Sequence, residues 1–80
     1  MGKNLINDDE VLKVVGKVMK ISKNKLSKDL KLGSIPEWDS LAHLNIYFEL
    51  QKVFKKKISM QKAANVKSVK DWIKLLNNKL

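Results

Sequence analysis

Three stretches with apolar residues at helical spacing, no strand-like alternation anywhere, and a length of 80 residues predict an all-α fold. The expected architecture is a small bundle of three main helices plus one short helix, a single domain over residues 1–80. A core of this size is marginal, so every amphipathic segment has to contribute to it.

The first helix starts at Asn7, which can cap it, with Glu10 three residues on to complete a capping box. Val11, Val14, Val15, Val18 and Met19 then form one apolar face. Lys17 and Lys20 suit the negative end of the helix dipole, and the helix is expected to end near Ile21. Ser22 to Glu37 reads as a long connection, punctuated by Gly33 and Pro36. Leu26, Leu30, Leu32 and Ile35 predict that it packs over the core, and a short helical turn fits within it.

The second helix is expected from Asp39 or Ser40 to about Phe54. Its apolar residues cover most of the circumference: Leu41, Leu44 and Phe48 lie together, and Ile46, Tyr47, Leu50, Val53 and Phe54 spread round the other side. The polar strip left over is narrow, comprising Ala42, Asn45, Glu49 and Lys52. Such a helix is buried on several sides or offers a patch to a partner. Ser59 to Asn65 predicts the short third helix, holding Met60 and Ala63. Ser68 opens the last one, with Asp71 as a capping acid and Val69, Trp72, Ile73 and Leu76 as the apolar face.

Composition excludes several classes of chemistry. The chain has no cysteine, so disulfides, thiol nucleophiles and Cys-based zinc sites are out. The lone His43 has no carboxylate cluster with which to build a metal site. No apolar run approaches the roughly 20 residues of a membrane span. The start of the chain carries Asp8, Asp9 and Glu10 and lacks a signal-peptide apolar region, so a cytoplasmic monomer is expected. Net charge is +9, and all 17 basic residues are lysine. Lysine supports salt-sensitive, nonspecific attraction but lacks arginine's bidentate contacts to bases and phosphate. Dispersed lysines therefore read first as a solvated surface, and no specific nucleic acid is expected.

Asp39, Ser40 and His43 invite comparison with a hydrolytic triad. A triad needs the acid behind the base, whereas Asp39 sits beside the serine, and no glycine-rich elbow or oxyanion loop is visible. Taken alone, Asp39 or Ser40 is a helix cap and His43 a surface or core-edge residue.

The wider arrangement says more. Val11-Leu12-Lys13-Val14-Val15-Gly16 precedes a long loop; Asp39-Ser40-Leu41 opens the second helix; Leu50, Phe54, Ile58, Val66 and Ser68-Val69 follow. From about Asp9 to Leu76 this pattern resembles the acyl carrier protein family, which shares its build with peptidyl and D-alanyl carrier proteins. The resemblance implies a non-catalytic carrier. Ser40 would bear a covalent 4′-phosphopantetheine arm, with Asp39 and Leu41 completing the motif. The arm would be attached by a phosphopantetheinyl transferase and would hold acyl groups as thioesters for acyl-loading and acyl-using enzymes. A helix N-terminus suits the phosphodiester, because its free N–H groups and dipole favour an anion.

Two features depart from fatty-acid-synthesis carriers. Their second helix is acidic, whereas the corresponding positions here are Ala42, Asn45, Gln51 and Lys52, with Glu37, Asp39 and Glu49 the acids nearby. A carrier without that strip binds poorly to partners built for it, which points to a dedicated biosynthetic pathway. Trp38 is the second departure. It either covers the loop and packs on the core or joins Ala42, Asn45, Glu49 and Lys52 in a partner-binding surface. A fatty cargo would require an apolar space lined by Leu44, Phe48 and residues of the first and last helices. Phe48 would narrow it and favour short or polar cargo. The competing readings are an aminoacyl or D-alanyl-type carrier, a basic helical nucleic-acid-binding domain, and an interaction module that carries no acyl group.

Overall fold

The computed structural model describes residues 6–78. Four α-helices form a small bundle: α1 (Asp8–Met19), α2 (Ser40–Phe54), α3 (Met60–Ala64) and α4 (Val69–Leu76). Among the described residues there is no strand, only an isolated antiparallel bridge between Lys31 and Ser68.

Asn7 caps α1, its side chain accepting from the Asp9 N–H at 2.7 Å. The Glu10 N–H donates instead to the Asn7 carbonyl at 3.1 Å, so the cap is a simple Asx cap rather than the expected reciprocal box. Val11 and Val15 are fully buried, with Val14 and Met19 close behind. The helix stops two residues short of the expected Ile21 because Lys20 turns left-handed at φ 58°. The Ile21 N–H then closes on the Gly16 carbonyl at 3.1 Å, a six-to-one bond that satisfies a terminal acceptor.

The long connection contains a 3₁₀ turn at Lys23–Lys25. Leu26, Leu30 and Ile35 pack against the core as expected, whereas Leu32 stays exposed. Backbone bonds tie the connection to the start of α4: Leu32 N–H to Lys67 carbonyl at 2.9 Å, Val69 N–H to Leu30 carbonyl at 3.1 Å, and Lys70 N–H to Lys28 carbonyl at 2.9 Å. These bonds explain how so long a loop holds one course. Gly33 adopts φ 84°, a conformation glycine takes without strain, and its N–H reaches the Trp38 carbonyl at 3.1 Å.

Asp39 caps α2 through the Ala42 N–H at 2.9 Å, and the helix runs to Phe54 as the sequence predicts. Ser59 and Ser68 cap α3 and α4 through the Lys62 and Asp71 N–H groups. Val69, Trp72, Ile73 and Leu76 all face the core. Helix α1 packs on both α2 and α4, and α3 packs on α4. Ile6 and Asn77 bind each other's amide groups at 2.7 and 3.3 Å, closing the two ends of the described chain together. The ion pairs Lys28–Asp8 and Lys70–Asp29, at 3.2 and 3.5 Å, are exposed and contribute little. Among the described residues no helix is long and apolar enough to cross a membrane.

Candidate functional site

Ser40 is the first residue of α2 and lies on the surface. Its hydroxyl is left out of the helix cap because Asp39 supplies it, with Asp39 Oδ1 on the Ala42 N–H and the Asp39 carbonyl on the His43 N–H at 2.9 Å. Among the described residues the Ser40 and Leu41 N–H groups donate no hydrogen bond. An exposed hydroxyl therefore stands at a helix start with open amides, a place suited to an anion on that oxygen.

His43, one turn on, does not serve the serine. Its Nδ1 lies 3.1 Å from the Trp38 indole Nε1, and its Nε2 lies 2.9 Å from the Ala63 carbonyl. An indole N–H only donates and a carbonyl only accepts, so these partners assign an accepting Nδ1 and a hydrogen on Nε2. Both nitrogens are engaged away from Ser40, and Asp39 is engaged with the helix backbone. The three residues are neighbours without the connectivity of a triad.

Trp38 is fully buried and donates inward to His43. This corrects its expected place on a partner-binding surface; the packing alternative is the one the structure shows. The physical reason is the turn from Ile35, whose carbonyl accepts the Trp38 N–H at 3.2 Å and directs the indole into the core. Of the other expected surface residues, Asn45 and Lys52 are exposed, while Ala42 and Glu49 are half-buried. The solvent side of α2 also carries Leu41, Leu44, Phe48 and Val53, at 66, 41, 53 and 46% exposure. Ile46, Tyr47 and Leu50 form the buried face. An apolar patch thus borders the candidate attachment point, joined by the exposed Met60 of α3.

Beside Ser40 lies a cleft of about 250 Å³, lined by Ser40, His43, Leu44 and Tyr47 of α2 and Met60, Ala63 and Ala64 of α3. Of the residues expected to line an apolar space, Leu44 lines this cleft, whereas the exposed Phe48 and the first and last helices do not. The short helix α3 supplies the second wall. The polar groups beneath it are spoken for: Tyr47 Oη donates to the Ile58 carbonyl at 3.0 Å, and both His43 nitrogens are bonded. The cleft is accordingly apolar.

A larger groove, about 570 Å³, runs between α1 and the following loop over Leu12, Gly16, Ile21 and Leu26, with charged residues at its rim. It shares no residue with the cleft at Ser40, and none of Asp39, Ser40 and Leu41 lines it. Size alone does not make it the site.

Sequence reasoning missed His43 as a link between elements and missed the α3 wall. The Met60–Ala63 spacing placed both residues on one turn, but only the tertiary fold brings that turn to Ser40. Among the described residues no group of three or more His, Asp or Glu side chains could hold a metal ion. An arm on Ser40 fits what is present: an exposed hydroxyl, two open amides, and an apolar cleft at its side. No protein-family model matches this chain, and no curated protein was found to match it.

Proposed function

We propose that this protein is a carrier domain of the kind its sequence resembles, bearing a 4′-phosphopantetheine arm on Ser40. The observation that carries the reading is the placement of Asp39-Ser40-Leu41. The serine hydroxyl is exposed at the first turn of the second helix, with the Ser40 and Leu41 amides open, next to an apolar cleft shared with α3.

In attachment, the Ser40 oxygen forms a bond to the phosphorus that joins pantetheine to the nucleotide of coenzyme A. The bond from that phosphorus to the bridging oxygen of the diphosphate breaks, the nucleotide leaves as its phosphate with that oxygen, and the serine proton passes to the transferase. The carrier needs no base of its own, which agrees with His43 and Asp39 being committed elsewhere. The arm's terminal thiol then carries acyl groups as thioesters. It would be the only thiol of the molecule, since the chain has no cysteine.

The surface around Ser40 supports a dedicated pathway. Leu41, Leu44, Asn45, Phe48 and Lys52 face solvent on α2, and the nearby acids Glu37, Asp39 and Glu49 form no continuous strip along it, so the partner enzymes would meet a mainly apolar face. The test is an intact mass after co-expression with a broad-specificity phosphopantetheinyl transferase. A gain of one phosphopantetheine, abolished in Ser40→Ala, is the expected result. No gain under conditions that convert a control carrier overturns the proposal.

A further inference from the structure

His43 lies where the loop before Ser40, the Ser40 helix and the two later helices meet. Trp38 bonds its Nδ1, the Ala63 carbonyl of α3 bonds its Nε2, and the Trp72 ring of α4 lies against it at 4.9 Å between centroids. The Trp38 ring lies nearly parallel to the imidazole, 19° from its plane. Among the described residues Trp72 Nε1 has no hydrogen-bond partner, and its ring is tilted 36° from the imidazole. The imidazole is thus a polar bridge from the loop to α3, and it crosses directly beneath the cleft beside Ser40.

We infer that His43 is the positioning residue of the attachment site: its neutral imidazole clamps Trp38 to α3 and so fixes the turn on which Ser40 is presented. The inference rests on the carrier reading and deepens it. Only Asp39 separates Trp38 from Ser40, and it carries the α2 cap, so displacement of the indole moves the cap and the hydroxyl together. A transferase must align that hydroxyl with a phosphorus atom, and misplacement of a reacting atom lowers turnover far more than it weakens binding. The tautomer follows from the partners. A donor-only indole and an acceptor-only carbonyl fit one neutral form of the ring and neither the other tautomer nor the cation.

The test uses the full chain. In protein labelled with ¹⁵N at histidine, above neutral pH, the folded state should show an unprotonated Nδ1 and a protonated Nε2; a protonated Nδ1 overturns the clamp. His43→Phe keeps a ring between the tryptophans and removes both hydrogen bonds. Its turnover by a broad-specificity transferase should fall roughly tenfold with KM little changed. His43→Gln, which can still accept from the indole and donate to the carbonyl, should recover much of the loss. Trp38→Phe removes only the donor and should lower turnover in the same direction; it serves as the second variant if His43→Phe does not fold. Folded variants with wild-type turnover overturn the inference. If the wild-type chain itself takes no arm, the carrier reading fails separately. The clamp is then decided by amide exchange over residues 38–42: faster exchange in His43→Phe than in His43→Gln supports it, and equal rates overturn it.

Discussion

The Tyr47 hydroxyl donates to the Ile58 carbonyl at 3.0 Å, while the Ile58 N–H donates to the Gln51 side chain at 2.8 Å. The connection from α2 to α3 is therefore pinned at one residue from both sides. That residue holds α3 in the place where it walls the cleft. Replacing Tyr47 by Phe would leave the carbonyl without its partner at a buried position. Urea denaturation should show a loss of about 1–3 kcal/mol, the cost of an unsatisfied buried acceptor. An unchanged midpoint would mean that water takes over the bond.

Ser40 and Asp39 have separable roles. Asp39 caps α2, so Asp39→Ala should lose about 1 kcal/mol of stability. Ser40 is exposed and outside the cap, so Ser40→Ala should stay within about 0.5 kcal/mol of wild type while losing all modification. Thermal melts paired with intact mass would distinguish the two. A destabilised Ser40→Ala would show that the hydroxyl, not only Asp39, caps the helix.

The rotation of α2 about its axis predicts opposite outcomes for two apolar residues on it. Ile46→Ala removes a fully buried side chain and should cost about 2–5 kcal/mol. Phe48→Ser removes a side chain that is half in solvent and should change stability by only about 0.5 kcal/mol. Chemical denaturation of both proteins checks the facing. Comparable losses would mean that Phe48 is packed.

Trp38→Ala should be the most damaging substitution in the loop. Truncating a fully buried aromatic costs about 3–5 kcal/mol, close to the entire stability of a small domain. Near-ultraviolet circular dichroism should show lost tertiary signal at temperatures where wild type is folded. A cooperative, wild-type-like melt would place the indole outside the core.

The helix starts were legible because capping is local: Asn7, Asp39, Ser59 and Ser68 each accept a backbone N–H within three residues. The end of α1 was less so, since a left-handed Lys20 in place of glycine leaves no mark in the sequence. The motif serine was legible as an exposed first-turn residue. The facing of α2 was not, because a helix apolar nearly all round has no unique buried side until its neighbours choose one. They chose Ile46, Tyr47 and Leu50, which left Leu41 and Phe48 outside. Trp38 and His43 are five residues apart with a helix boundary between them, so no periodicity links them, and the clamp emerges only in three dimensions.

The backbone bonds from residues 28–32 to residues 67–70 also set an order of events. The loop that leads to Ser40 is anchored by chain that lies beyond the third helix, and the Trp38–His43 pair rests against Trp72. A ribosome that has just released Ser40 has therefore not yet made the segments that hold the serine in place. The surroundings of Ser40 take their final shape only after α4 has been made, not with the Asp39-Ser40-Leu41 segment itself. Contacts this distant in sequence are slow to close, and the surroundings of Ser40 should be among the last parts of the domain to order.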